Sequence, residues 1–256
     1  MDRRAYLGLL TGATLSFAGC TEGNARPPVA GFPAPGNPDP IVQEGFPATV
    51  CSNPPYLSDG IHAVVEPAVG PDWEDVTVPE EYRFADETGR GLSADTYVVG
   101  VEYDGAARAY PLSILWWHEI VNDTLGGDPV LVTYCAMCET GMVAERRVGG
   151  EETTFRVSGQ LWQAPPPYSY ASAEEGRVFG ASVLTGETEL RTAANLVLLD
   201  EATGSYWSQI LARGICGPMS GERMRILPSS VATWAEWREN YPDTDVLLPP
   251  PQSKTA

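Results

Sequence analysis

The sequence predicts an α+β fold: one domain dominated by antiparallel strands and hairpins, with two or three short helices. Three observations predict it. A β-rich run, Tyr97-Val98-Val99-Gly100-Val101-Glu102-Tyr103, meets Asp104-Gly105 and a return segment from Ala106 to Tyr110, the pattern of a two-residue hairpin. A short apolar run, Val130-Leu131-Val132-Thr133, lies between Gly126-Gly127 and Gly141, as a buried strand would. Thr233-Trp234-Ala235-Glu236 has the spacing of a helix capping box.

In chain order, the first element is an address. Arg3-Arg4 precedes an apolar run from Leu7 to Ala18 that is too short and too rich in small residues to span a bilayer permanently. It reads as an export signal of twin-arginine type over residues 1–19. The run ends Leu15-Ser16-Phe17-Ala18-Gly19-Cys20, which resembles the lipobox of prokaryotic lipoproteins. That resemblance implies cleavage before Cys20, lipid on its sulfur, and a mature protein anchored to the outer face of the cytoplasmic membrane. Residues 20–50 are crowded with Pro, Gly and Asn and read as a spacer, because few bulky apolar side chains offset the entropy of ordering them. Residues 51–248 suit a single globular domain, and residues 249–256 read as a disordered tail.

Within the domain, Pro111 ends the first hairpin and Ser113 to Asn122 reads as a helix, with Ile114, Trp117, His118 and Val121 at helical spacing. Pro129 to Tyr134 is the buried strand. Met142 to Val148 and Glu152 to Val157 suggest a second hairpin around Gly149-Gly150. Leu196 to Leu199 is a further strand. The capping box opens a short helix that sets Trp234, Trp237 and Tyr241 on one face, as core packing.

The formal net charge is -18, and arginine supplies every basic residue except Lys254. Many carboxylates with few lysines is the pattern of proteins that work in molar salt, where a Debye length of about 3 Å leaves like surface charges little to repel. Nucleic acid is excluded as a partner, since no basic stripe is present to neutralise phosphates. No Gly-rich phosphate loop, nucleophile elbow or HExxH helix occurs.

Chemistry concentrates in Tyr134-Cys135-Ala136-Met137-Cys138-Glu139-Thr140-Gly141. Two thiols at this spacing close a redox disulfide or grip a soft metal ion. Cys135 and Cys138 are therefore candidate catalytic residues if the pair is redox-active, and candidate metal ligands otherwise. Gly141 and the strand-like Met142-Val143 leave no helix after the pair, which weakens the comparison with redox sites built at a helix N-terminus. A closed zinc site needs two more ligands. His118 is the best third candidate, with Cys51, Cys216, Met137 and Met142 behind it; two thiolates with a His or a Met suit copper(I) better than zinc. Glu119, Asn122 and Asp123 are placed to orient a His118 ring, although a single histidine on an apolar face is more often a hydrogen-bonded core residue. Ser208 and Gln209 read as strand-end surface or pocket lining.

Ala109-Tyr110-Pro111-Leu112, Trp117-His118-Glu119-Ile120-Val121-Asn122-Asp123, and Val132-Thr133-Tyr134-Cys135 with Cys138 and Thr140-Gly141 follow one another as in the domain-of-unknown-function family 3179. The resemblance continues through Phe155-Arg156-Val157-Ser158-Gly159, Tyr206-Trp207-Ser208-Gln209, Gly217-Pro218 and Thr233-Trp234-Ala235-Glu236-Trp237-Arg238. It covers nearly all of the chain after the spacer and implies no activity. The family has Pro-Leu between the cysteines and Gly after them, a form that resembles a metal knuckle. This chain has Ala136-Met137 and Glu139 there. Residues 162–194 resemble an insert, whose Pro165-Pro166-Pro167-Tyr168 stretch is a candidate protein-partner loop. Cys51 and Cys216 look like additions of this chain, most economically one disulfide.

Three functions follow as expectations. One is a lipid-anchored extracytoplasmic protein holding copper or zinc on Cys135, Cys138 and His118 for delivery or electron transfer. The others are a thiol–disulfide oxidoreductase and a binding or scaffold lipoprotein with a structural disulfide.

Overall fold

The computed structural model of the chain describes residues 32–40, 48–55, 61–83, 91–136, 138–163 and 194–256. The expected export signal, Cys20, Met137 and residues 164–193 of the expected insert lie outside the described residues.

The fold is β-rich, which corrects the α+β expectation: among the described residues, strands in four sheets far outnumber helical residues, and only two α-helices occur. The strands are β1 (Val64–Glu66), β2 (Val69–Gly70), β3 (Tyr97–Tyr103), β4 (Ala106–Pro111), β5 (Ile120–Leu125), β6 (Asp128–Cys135), β7 (Thr140–Glu145), β8 (Arg147–Val148), β9 (Glu151–Glu152), β10 (Phe155–Gln163), β11 (Ala194–Asp200), β12 (Tyr206–Ser208), β13 (Arg213–Cys216), β14 (Ser230–Thr233), β15 (Asp245–Leu247) and β16 (Lys254–Thr255). The helices are α1 (Leu112–His118) and α2 (Trp234–Asn240). No helix among the described residues is long and apolar enough to cross a membrane.

The sheets stack in three layers. The central sheet has the order β16-β1-β5-β6-β7; one outer sheet is β14-β3-β4-β15-β2 and the other is β10-β11-β12-β13. Alternation along β5 and β6 divides the core. Val121, Val130, Val132 and Val143 face the β3–β4 layer with Val98, Val101 and Tyr110. Ile120, Leu131, Cys135 and Met142 face the β10–β13 layer with Phe155, Leu196, Leu198 and Trp207. A third cluster on the far side of that layer joins Val197, Leu199, Tyr206 and Ile215 to Val50 and Cys51. The apolar run around Val130 to Thr133 lacks polar alternation because the central sheet is covered on both faces.

The first hairpin forms as the sequence predicts, with Asp104 (φ 50°) and Gly105 (φ 77°) both in the left-handed region that its tight turn demands. The capping box is complete: the Thr233 hydroxyl accepts from the Glu236 N–H, and the Glu236 carboxylate accepts from the Thr233 N–H. Trp234 and Trp237 are buried, and Trp237 stacks on Tyr241 with ring centroids 4.2 Å apart. Gly100 makes this seat possible, since a Cβ there would lie 2.3 Å from the Trp237 ring.

The helix expected over 113–122 ends at His118. Glu119 is left-handed (φ 56°), and Ile120 to Asn122 become the start of β5, paired with Thr133, Val132 and Leu131. β-branched Ile120-Val121 gains more from that buried ladder than from one further helical turn. The hairpin around Gly149-Gly150 is confined to β8 and β9; its expected arms pair elsewhere, β7 with β6 and β10 with β11.

The ends differ from expectation too. Residues 249–256 are not a disordered tail: Lys254–Thr255 pairs with β1, and buried Ser253 donates to the Leu248 carbonyl and accepts from the Ala68 N–H. Within the expected spacer, Asp39 is buried on Arg213 at 2.8 Å, and the Asp39 N–H donates to the Ile215 carbonyl.

Candidate functional site

The Cys pair sits where β6 leaves the central sheet. Cys135 closes β6 opposite Thr140, and Cys138 is followed by left-handed Glu139 (φ 51°) as the chain turns back into β7. The two sulfurs are bonded. Cys135 is fully buried against Ile120, Leu131 and Met142, whereas Cys138 is half-buried at the rim of that cluster. The Cys138 N–H donates to Cys135 Sγ at 3.2 Å. The pair is therefore asymmetric: Cys138 is only partly buried, and Cys135 is fully buried with a backbone donor aimed at its sulfur.

Beneath it lies a buried polar lock built from Ser208 and Gln209, which the sequence suggested as strand-end surface or pocket lining. Ser208 and Gln209 are both fully buried. The Gln209 amide donates to Thr133 Oγ1 and the Thr140 carbonyl, both at 3.1 Å, and its oxygen accepts from Thr140 Oγ1 and Asn195 Nδ2. All four hydrogen-bonding positions of that side chain are used. Ser208 Oγ donates to Asn195 Oδ1 at 2.7 Å. Thr133 and Thr140 are the residues at the two feet of the Cys turn, so Gln209 pins the turn to the β10–β13 layer. A polar pair flanked by Trp207 and Ile210 was the available signal, since a side chain at a strand end inside an apolar stretch needs internal partners if buried.

His118 does not join the cysteines. Its Nδ1 faces the His62 carbonyl at 2.7 Å, which fixes the proton there, and its Nε2 accepts from the Tyr82 hydroxyl at 2.7 Å. Both ring nitrogens are thus occupied. Burial pushes the His118 pKa below its ordinary value, and burial followed by the Glu81 charge pushes Tyr82 up to about 12. Among the described residues, no group of three or more His, Cys, Asp or Glu side chains converges as a metal site. The expected ligand set of Cys135, Cys138 and His118 is accordingly not assembled.

Nor do Glu119, Asn122 and Asp123 orient the His118 ring. Asn122 is fully engaged in the core: its Nδ2 donates to the Val64 and Phe155 carbonyls, and its Oδ1 accepts from the Phe155 N–H. Asp123 accepts from Arg108 Nη1 at 2.7 Å and from the Tyr110 hydroxyl at 2.8 Å. Burial, then the Asp123 charge, drives the Tyr110 pKa well up. The Trp207 indole likewise donates to buried Asp200 at 2.7 Å. These residues form polar locks between layers, in which Asn122, Asp123 and Trp207 are each hydrogen-bonded. The Glu119 carboxyl differs. It is buried, its pKa is raised by burial to about 7, and no hydrogen bond or ion pair among the described residues reaches it.

Cys51 and Cys216 are bonded in the third cluster, far from the Cys135 turn in sequence and on the other face of the β10–β13 layer.

The family model described as a protein of unknown function (DUF3179) matches residues 59–165 and 175–256. The break between these segments falls within the expected 162–194 insert, which joins the paired strands β10 and β11. The curated proteins and the solved structures give no match. The matched segments span most of the chain and carry the buried locks as well as the Cys turn, and the chain belongs to the DUF3179 family of proteins of unknown function.

Proposed function

We propose that this protein is a lipid-anchored extracytoplasmic thiol–disulfide redox protein whose working group is the Cys135–Cys138 pair. The asymmetric, bonded pair in its tight turn carries the reading. A thiolate of a dithiol partner attacks Cys138 Sγ, the sulfur of the less buried cysteine, and the S–S bond breaks with its electron pair passing to Cys135 Sγ. The Cys138 N–H, already aimed at that sulfur, supports the leaving thiolate. The partner's second thiolate then attacks the mixed disulfide and releases Cys138. Two electrons pass to the pair, and the partner leaves as a disulfide.

Loop size favours a redox role over a structural one. Closing residues separated by 3 positions restricts the unfolded chain little, worth about 2 kcal/mol, against about 5 kcal/mol for the 165-residue separation of Cys51 and Cys216. The address rests on Arg3-Arg4, the apolar run and the Leu15-to-Cys20 lipobox, and an exported location permits disulfides. Residues 162–194, between two paired strands, supply the proposed protein-partner loop.

The test is an equilibrium titration in glutathione redox buffers, with thiol trapping. The expected midpoint lies between about -270 and -120 mV, and Cys135→Ser is expected to trap a mixed disulfide on Cys138. A midpoint below about -300 mV would make the pair structural and end the proposal.

A further inference from the structure

Three of the five methionines, Met142, Met219 and Met224, belong to or pack against the apolar cluster that holds Cys135 and Cys138. Met142 is the best placed. Thr133 pairs with Met142 and Cys135 with Thr140, so Cys135 and Met142 are diagonal neighbours on one face of the β6–β7 ladder. Such neighbours lie about 7 Å apart at the backbone, a gap that the long, flexible Met142 side chain can cross by leaning toward Cys135 Sγ. Both are buried in the same cluster. The thioether has no hydrogen bond to give up, unlike His118, whose two nitrogens are committed to Tyr82 and His62.

We propose that the reduced Cys135 and Cys138 sulfurs, with the Met142 thioether, form a three-sulfur site for copper(I) that the disulfide state closes. The inference rests on the redox reading, because the sulfurs must first be reduced. Reduction by a dithiol delivers two electrons and two protons and leaves two thiols. Copper(I) then displaces both thiol protons and forms two Cu–S bonds to the thiolates and a dative bond from the thioether; no electron moves in that step. An all-sulfur, low-coordinate set suits copper(I), whereas zinc would need a fourth ligand and gains little from a thioether. The Cys138 N–H remains aimed at Cys135 Sγ and offsets part of the negative charge left on the site. Copper loading and disulfide formation thereby exclude each other.

The experiment uses the chain carrying Cys20→Ser, reduced and kept anaerobic, with bicinchoninate competing for copper(I) and X-ray absorption reporting the ligands. One copper per chain in a sulfur-only shell is expected. Met142→Leu, which keeps the volume, should weaken binding by about tenfold or more, and Cys135→Ser/Cys138→Ser should remove it. His118→Gln should change nothing. Unchanged affinity in Met142→Leu, an imidazole signal in the spectrum, or equal binding by the oxidised protein would overturn the site. The midpoint potential is measured without copper, which keeps the two readings apart. A pair that titrates in glutathione buffer yet holds no copper defeats only the metal site. Copper bound after chemical reduction, by a pair that stays oxidised throughout the glutathione titration, defeats only the redox centre.

Discussion

Glu119 is the residue most out of keeping with its surroundings. A carboxyl without a partner in the core favours its neutral form, and burial raises its pKa from 4.5 to about 7. The folded state therefore holds a proton that the unfolded state has released between those values, and stability falls as pH rises through that window. The loss amounts to about 3 kcal/mol once both are passed. His118 acts in the opposite direction. Its lowered pKa means the unfolded chain takes up a proton first as pH falls below its ordinary value, so its contribution is lost on the acid side. Urea melts at about pH 5 and pH 8 should show wild type losing roughly 3 kcal/mol that Glu119→Gln retains. Equal losses in the two proteins would mean that the carboxyl is ionised in the fold.

The β6–β7 hairpin carries the Cys pair, and what holds it is a side chain from another layer. Gln209 reaches across from the end of β12 and fills its four hydrogen-bonding positions on Thr133, Thr140 and Asn195. Gln209→Leu removes those bonds and leaves the buried Asn195 amide and the partly buried Thr140 groups without these partners. A loss of about 3 kcal/mol is expected in denaturant melts, with faster hydrogen exchange at the Cys138 amide than in wild type. Stability within about 0.5 kcal/mol of wild type would mean that water enters and substitutes for the amide.

Across the whole molecule, cross-link and charge act at different ranges. Cys51→Ala/Cys216→Ala frees a span of 165 residues and is expected to cost about 5 kcal/mol, whereas Cys135→Ala/Cys138→Ala should cost nearer 2 kcal/mol. Comparable losses from the two double variants would contradict the proposed division into structural and working disulfides. The net charge of -18 repels itself over the whole surface, while individual exposed ion pairs such as Arg147–Asp128 contribute at most about 1 kcal/mol each. Screening the first outweighs weakening the second. The melting temperature should rise between dilute and molar salt, and a flat profile would set aside the high-salt reading of the composition.

Local chemistry was legible from residues adjacent in the chain. The Asp104-Gly105 turn, the Thr233–Glu236 cap, the β6 strand and the Cys135–Cys138 spacing each depend on contacts a few positions apart. What failed to read needed a neighbour from far away. Ile120–Asn122 left the helix because β6 offered a partner, residues 254–255 gained order from β1, and Gln209 went inward because Thr133 and Thr140 met it there. The same holds for His118, whose spacing made it a ligand candidate until Tyr82 and the His62 carbonyl took both its nitrogens. Periodicity and turn residues report the backbone's own preferences. Which sheet covers which face, and which buried polar group finds which partner, is set by layers that the chain brings together only on folding.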